Sequence, residues 1–276
     1  MSTYRELLQA GRVLLKQKEI ADADADAWYL LSHIFKINRT DFLLRGDQTI
    51  PTELEEAYLN VLNLRARHIP LQHIVGTQEF MGIEFNVSPE VLIPRQDTEV
   101  LVEEVLKVAK GRKVLDLCTG SGCIIISIAC LGEPSRAVGA DISKKALEIA
   151  AGNVKKNGVC VELFQSDLFE KIAGSYDIIV SNPPYIPTKD IYELMPEVRE
   201  HEPMLALDGR EDGLEFYRRI SAEAFRYLNK GGFIFYEIGY NQGEAVKQIL
   251  LREGFTDVII KKDLSGLDRV ISARRS

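Results

Sequence analysis

The sequence predicts an α/β protein: a seven-stranded, mostly parallel sheet wrapped by helices, preceded by a small all-helical bundle and joined to it by a β-hairpin. Three observations carry this. From Lys113 onward, short β-branched runs alternate with amphipathic stretches, the pattern of successive βαβ units. The first 75 residues show helical apolar spacing instead. The first strand of the alternating part runs into "CTGSG", glycines at a strand's carboxyl end, where open parallel sheets receive ligands.

Residues 1–75 read as helices throughout. Thr3 and Glu6 form a capping box ahead of "LLQAGRVLLK". "ADADAWYLLSHIF" sets Ala23, Ala27, Leu30, Leu31 and Ile34 at helical spacing, and Thr52 with Glu55 offers a second capping box, just after Pro51. Helices this short are marginal alone and must bury their apolar stripes on one another, hence a bundle. The period changes over residues 76–96, where "QEFMGIEFNVSPEVLIP" alternates around Gly82 and predicts a hairpin turning near Met81-Gly82. Pro94 ends it, and Asp97 or Thr98 is expected to cap the helix "EVLVEEVLKVAK" that opens the third region, 97–276.

In that region the strands are "KVLDL", "AVGAD", "VELFQ", "YDIIVS", "GFIFYEI", "DVIIKK" and "RVISAR". Helices separate most of them, and a long irregular stretch follows "YDIIVS". Only "DLSGLD" joins the last two, too short for a parallel crossover, so the closing strand must run antiparallel to its neighbour.

Composition narrows the function. At 276 residues, 46% hydrophobic and 27% charged, the chain is globular, and its net charge of −7 disfavours a generic nucleic-acid binder. The cysteines at 118, 123, 130 and 160 form no CxxC pair and have no histidine at ligand spacing, so they read as reduced thiols rather than disulfides or metal ligands. The N-terminal stretch is charged throughout, and no apolar run nears the roughly 18 residues of a membrane span. The expectation is a cytoplasmic monomer without membrane or direct nucleic-acid contacts.

The glycine loop "LDLCTGSG" (115–122) fails two familiar templates. Ile125 stands where a dinucleotide fingerprint needs its third glycine, and Gly122-Cys123 lacks the lysine of a phosphate loop. Asp116, inside the strand, disfavours a phosphate and suits an ammonium group, while Gly120 and Gly122 let backbone approach a ligand. Asp141 ends the second strand about 20 residues on, where an acid receives ribose hydroxyls. Asp167 follows the third strand, placed to accept from an adenine amine, with Leu168 and Phe169 flanking the base. Each aspartate alone could be a cap or a turn residue. Ammonium, ribose and adenine sites on three successive strand ends together describe S-adenosylmethionine.

"SNPPY" (181–185) follows the fourth strand, beside the first across the topological switch. Asn182 and Pro183 each precede a proline, which forces an extended, rigid backbone rich in carbonyl acceptors. The Asn182 Oδ1 and the Pro183 carbonyl can take the two N–H bonds of a planar –NH2, and Tyr185 can stack on its plane. Such acceptors stabilise positive charge developing on nitrogen as it attacks a methyl group; no metal is needed.

These motifs, with "AD" at 140–141 and "SDLF", resemble the class I (Rossmann-like) methyltransferases that modify planar amino groups. "PLQHIVGTQEFMGIEFNVSPEVLIPRQDTE" (70–99), "EVREHEPMLALDGREDGLEFYRRI" (197–220) and "YEIGYNQGE" (236–244) resemble, more closely, the release-factor glutamine methyltransferases, the PrmC/HemK family. The resemblance implies N5-methylation of the Gln in the Gly-Gly-Gln motif of class I peptide chain release factors. It further implies that Cys118, Thr119, Gly120, Ser121, Gly122, Asp141, Leu168 and Asn182 contact the cofactor, and that Asn182, Pro183, Pro184 and Tyr185 bind the glutamine. The helical N-terminal domain would hold the release factor's body. Two positions depart from the family pattern: Cys118 stands at a usual Gly, and Gln96 at a usual Pro. Arg95 reads either as closing the pocket or as one side of an ion pair, and His73 and His201 as structural. The competing reading is DNA adenine N6-methylation, since adenine also carries –NH2 on an sp² carbon. The acidic chain lacks the basic recognition domain such an enzyme needs.

Overall fold

A computed structural model describes residues 2–276. Helix α1 (Tyr4–Gln17) begins at the expected box: the Thr3 hydroxyl accepts from the Glu6 N–H while the Glu6 carboxylate accepts from the Thr3 N–H. Helices α2 (Ala23–Phe35), α3 (Arg39–Arg45), α4 (Thr52–Arg65) and α5 (Leu71–Val75) follow. The second expected box does not form. Pro51 itself takes the extended capping conformation, so Thr52 moves into the first turn of α4. Glu55 instead accepts from the Ser2 hydroxyl at 2.6 Å. The apolar faces meet around Leu15, Ala27, Leu30, Leu31, Tyr58 and Leu62, all buried, and the Tyr58 hydroxyl donates to the Ala27 carbonyl at 3.0 Å.

Strands β1 (Thr77–Phe80) and β2 (Ile83–Asn86) pair antiparallel about Met81 and Gly82, both at positive φ, the two-residue turn that matches strand twist. Helix α6 (Glu99–Leu106) is entered through a 3-10 turn at Gln96–Thr98 without a side-chain cap bond. The cap expected of Asp97 or Thr98 is absent: Asp97 lies inside the 3-10 turn and Thr98 has helical backbone, φ −68° and ψ −20°, where a capping residue would be extended.

From there the chain alternates as expected: β3 (Lys113–Leu117), α7 (Cys123–Leu131), β4 (Arg136–Asp141), α8 (Lys144–Asn157), β5 (Glu162–Gln165) and β6 (Tyr176–Ser181). The stretch after β6 is more regular than its sequence suggested. It holds a 3-10 turn at Thr188–Glu193 and two short helices, α9 (Pro196–His201) and α10 (Met204–Leu207). Helix α11 (Glu215–Tyr227), β7 (Leu228–Glu237), α12 (Gly243–Arg252), β8 (Phe255–Lys262) and β9 (Asp268–Arg275) complete the chain. The seven-stranded sheet has the order β5-β4-β3-β6-β7-β9-β8, and β9 runs antiparallel to both neighbours.

Alternate residues of the same strands feed the two faces of this sheet. Leu115, Ile179 and Ile234 pack with α11 residues Tyr217 and Ile220, while Val114, Ile178 and Phe235 pack with α6 and α7. Residues up to Gly76 form one compact unit with Met195–His201, and Thr77–Leu194 with Glu202–Ser276 form the other. In the second unit β3 pairs with β4 on one side and β6 on the other, so a topological switch lies between β3 and β6.

Candidate active site

A cavity of about 430 Å³ opens at the carboxyl ends of β3, β4 and β6. The loop after β3 forms its floor through Cys118, Thr119, Gly120 and Ser121. Backbone bonds hold that loop: the Thr119 N–H donates to the Ala140 carbonyl at 3.0 Å and the Gly122 N–H to the Thr119 carbonyl at 2.8 Å. Gly122 is behind the wall at φ 80°, where a Cβ would come within 2.9 Å of Ile126. Cys118 has φ 60° and Leu168, across the cavity, φ 47°, so two non-glycine residues that line it hold left-handed backbone. That conformation costs roughly 1–2 kcal/mol per residue, and such strain collects at functional sites. Burial pushes the Cys118 thiol well up, so it remains neutral.

Asp141 lies on the wall with both oxygens already anchored. Oδ2 accepts from the Gly120 N–H and Oδ1 from the Ser143 N–H, each at 2.8 Å. Burial raises its pKa, and these backbone donors oppose the rise. Each oxygen keeps a second lone pair for a hydroxyl. Ser143 also caps α8, accepting from the Ala146 N–H at 3.2 Å, so Asp141 is not needed for that role.

Asp116 is fully buried beneath the loop rather than on the wall. The Thr119 hydroxyl donates to its Oδ2 at 2.5 Å, and Oδ1 has no hydrogen-bond partner among the described residues. Burial pushes its carboxyl up to about 8, the Thr119 bond opposes this, and the Asp141 charge adds to it. Asp167 and Leu168 line the far side, Asp167 paired with Arg219 at 2.8 Å. Phe169, expected beside a base, is in the core, stacked on Tyr227 at 4.5 Å. Its strand-end position resembled that of Leu168, but one residue along the turn reverses the direction.

The SNPPY segment leaves β6 directly above the switch, tied there by the Ser181 hydroxyl donating to the Leu117 carbonyl at 2.6 Å. Asn182 and Pro184 reach the cavity, whereas Pro183 and Tyr185 are off its wall. The Asn182 Nδ2 faces the Thr98 hydroxyl oxygen at 3.4 Å, and the Tyr185 hydroxyl faces Glu237 Oε1 at the same distance. Arg95 does both things its sequence allowed: it lines the cavity and pairs with Glu202.

Two family descriptions match the chain, the PrmC N-terminal domain over residues 6–76 and the Methyltransferase small domain over 95–200. The release factor glutamine methyltransferase of Geobacter sulfurreducens is 43% identical over 274 residues, covering 99% of this chain and 96% of that protein. This chain belongs to the release factor glutamine methyltransferase family. The Lactococcus lactis member is 46% identical over 250 residues, covering 89% and 92% of the two chains. Among solved structures, a methyltransferase from Pyrococcus furiosus matches with TM-score 0.57 at 18% identity, covering 78% of this chain and 98% of that one. The T. thermophilus 16S rRNA N2 G1207 methyltransferase, solved with AdoMet and guanosine, matches with TM-score 0.53 at 19% identity, covering 72% and 50%. These two share the fold.

In this member of the release factor glutamine methyltransferase family, the two departures have visible consequences. Cys118 holds by burial the left-handed backbone that glycine would take without strain. Gln96 opens the 3-10 turn with its side chain exposed, so the turn forms without proline. Three further residues support the site: Thr98, Glu237 and Gln242. Glu237 had one local signal, a charge closing the apolar strand "FIFYE"; Thr98 and Gln242 had none, since their partners are distant in sequence.

Proposed function

We propose that this protein transfers the methyl group of S-adenosylmethionine to the side-chain amide nitrogen of the Gln in the Gly-Gly-Gln segment of class I peptide chain release factors. The observation that carries the reading is Asn182. With Nδ2 committed to Thr98, its carbonyl oxygen is the group left for a ligand, at the mouth of a cavity of cofactor size.

The residues present fit the cofactor. Asp141 has lone pairs for a ribose diol, and Ser121 Oγ, in the lining of the same cavity, is buried without a hydrogen-bond partner among the described residues. The carboxylate of Asp116 sits under the loop and favours a cationic ligand above it. Cys118, Thr119, Gly120 and Ser121 offer the floor, and Asp167 and Leu168 the adenine end. When bound, the cofactor supplies an electrophilic methyl on a sulfonium.

The amide nitrogen is a poor nucleophile because its lone pair is delocalised. Asn182 Oδ1 and the Pro183 carbonyl accept its two N–H bonds, hold it in line with the methyl and stabilise the charge it gains. With the cofactor held there, the amide nitrogen would take the methyl from sulfur, leaving a neutral thioether, and would then release its proton to solvent. Tyr185 meets the glutamine plane from outside the cofactor cavity. The helical residues 1–75 carry recognition of the release factor's body. Methyl transfer from the labelled cofactor to a release factor, with none to an adenine-bearing duplex, is the expected result. Labelling of the duplex alone refutes it.

A further inference from the structure

Asn153 is fully buried on α8, and its side-chain amide is spent on backbone. The Asn86 N–H donates to its Oδ1 at 2.7 Å. Its Nδ2 donates to the Asn86 carbonyl at 3.0 Å and to the Ser121 carbonyl at 2.9 Å. A backbone N–H can only donate, so Asn86 fixes which end of the amide is oxygen, and the other end then uses both of its N–H groups. Helix formation does not call for this residue. Asparagine is a weak helix former, and burying an amide is tolerated only when its bonds are made.

The two partners belong to different parts of the cavity lining. Ser121 is in the glycine loop that forms the floor. Asn86 ends β2, and the chain that follows it supplies Glu90, Val91, Leu92 and Arg95 to the same cavity. Helix α8 grips that chain elsewhere too: Val87 and Val91 pack with Ala146, and Lys145 pairs with Glu90 at 2.7 Å. It also closes on the loop, since a Cβ at Gly122 would lie 3.3 Å from Ala150, one turn before Asn153. Asn153 bonds both parts at once.

We propose that Asn153 is a positioning residue for the cofactor. By clasping Asn86 and Ser121 together it fixes the glycine loop relative to the chain that enters the cavity from the hairpin, and so sets the fit to S-adenosylmethionine. The β-hairpin is thereby a buttress of the cofactor site as well as a join. This rests on the reading of the cavity as the S-adenosylmethionine site.

The full-length protein is titrated with S-adenosylhomocysteine, the demethylated cofactor, by calorimetry well below its unfolding midpoint. Asn153→Asp keeps the size and the acceptor for the Asn86 N–H but turns a carboxylate oxygen toward two carbonyls. Its Kd rises about tenfold or more, the worth of a lost buried hydrogen bond, at unchanged stoichiometry. At saturating cofactor its kcat stays within about threefold, because the SNPPY acceptors are untouched. Asn157→Ala, one turn on, removes bonds to the Glu84 and Asn153 carbonyls without reaching the loop, and keeps the wild-type Kd. A wild-type Kd in Asn153→Asp, or a fall in stoichiometry with Kd unchanged, makes Asn153 a folding residue only and overturns the proposal. So does a loss confined to kcat, or an equal rise of Kd in Asn157→Ala.

A second readout uses the wild type. The side-chain 15N–1H signals of Asn153 shift and exchange more slowly with solvent when S-adenosylhomocysteine is added, and those of Asn157 do not. Asn153 signals indifferent to the ligand overturn the proposal. A wild type that binds no S-adenosylhomocysteine refutes the cofactor reading and this assignment together. Binding with Kd unmoved in Asn153→Asp refutes the assignment alone.

Discussion

The Gln242 side chain donates to the Tyr185 carbonyl at 2.9 Å. The same nitrogen reaches the Gly213 carbonyl at 3.2 Å, and the Gly239 N–H donates to the Gln242 oxygen at 3.0 Å, which fixes which end is nitrogen. One buried amide thus ties the end of the SNPPY segment to two other loops. Gly209 permits the close approach: a Cβ there would come within 2.7 Å of the Tyr185 backbone. The rigidity of the proposed receptor comes from these ties as well as from its prolines.

Gln242→Glu should therefore be damaging despite its near-identical shape. It replaces a donor by a carboxylate facing two carbonyl oxygens and leaves them unsatisfied, at about 1–3 kcal/mol. Chemical denaturation should register that loss, and kcat should fall more than cofactor affinity. Wild-type stability would mean that the Tyr185 loop is held by other bonds.

Asn182→Ala should separate binding from chemistry. Removing a fixed acceptor for developing charge lowers kcat by roughly 100-fold, with cofactor Kd changed only a few-fold. Steady-state kinetics beside equilibrium cofactor binding gives both numbers. Equal losses would make Asn182 a cofactor ligand and not an organiser of the nucleophile.

Which parts of this were legible in the sequence follows from the range of each interaction. Thr3 and Glu6 bond each other three residues apart, so their box could be read directly. The sheet could be read because "KVLDL" and "YDIIVS" are buried on both faces and stop at glycine or proline. Thr52 looked like a cap, but a rigid Pro51 had taken the capping conformation. Thr98 looked like a cap because its partner, Asn182, is 84 residues away. Gln242 and Glu237 read as ordinary polar residues until the fold brought them to Tyr185.

The carboxyl of Asp116 gives a pH signature. Burial, opposed by Thr119, pushes it up to about 8, above the ordinary carboxylate value. A folded-state pKa raised in this way contributes stability below the unfolded value and loses it as pH rises through about 8. The ligand-free protein should lose stability over that interval, and Asp116→Asn should lose less. A cationic ligand favours the ionised form, so cofactor affinity should rise with pH up to about 8, by at most about tenfold per unit, with protons released on binding. Calorimetry in two buffers of different ionisation enthalpy checks this. A flat profile, or proton uptake, contradicts the role given to Asp116.

Stability of the helical unit should hinge on Arg65. Its buried guanidinium bonds Asp26 at 2.6 Å and Glu197, on α9, at 3.0 Å. Arg65→Met strands the buried Asp26 and leaves Glu197 with His68, at 3.1 Å, and should cost about 3–5 kcal/mol. It should also expose Met195–His201 to limited proteolysis, because that segment loses its anchor. A loss below about 1 kcal/mol would assign the cluster to the inexpensive class of surface pairs.

The most direct test of the proposed activity is mass spectrometry of the Gly-Gly-Gln peptide of a release factor after incubation with the purified protein and S-adenosylmethionine. One added methyl group is expected, on the glutamine side chain by fragmentation, lost in Asn182→Ala. An unmodified glutamine, or a methyl on any other residue of the peptide, would contradict it.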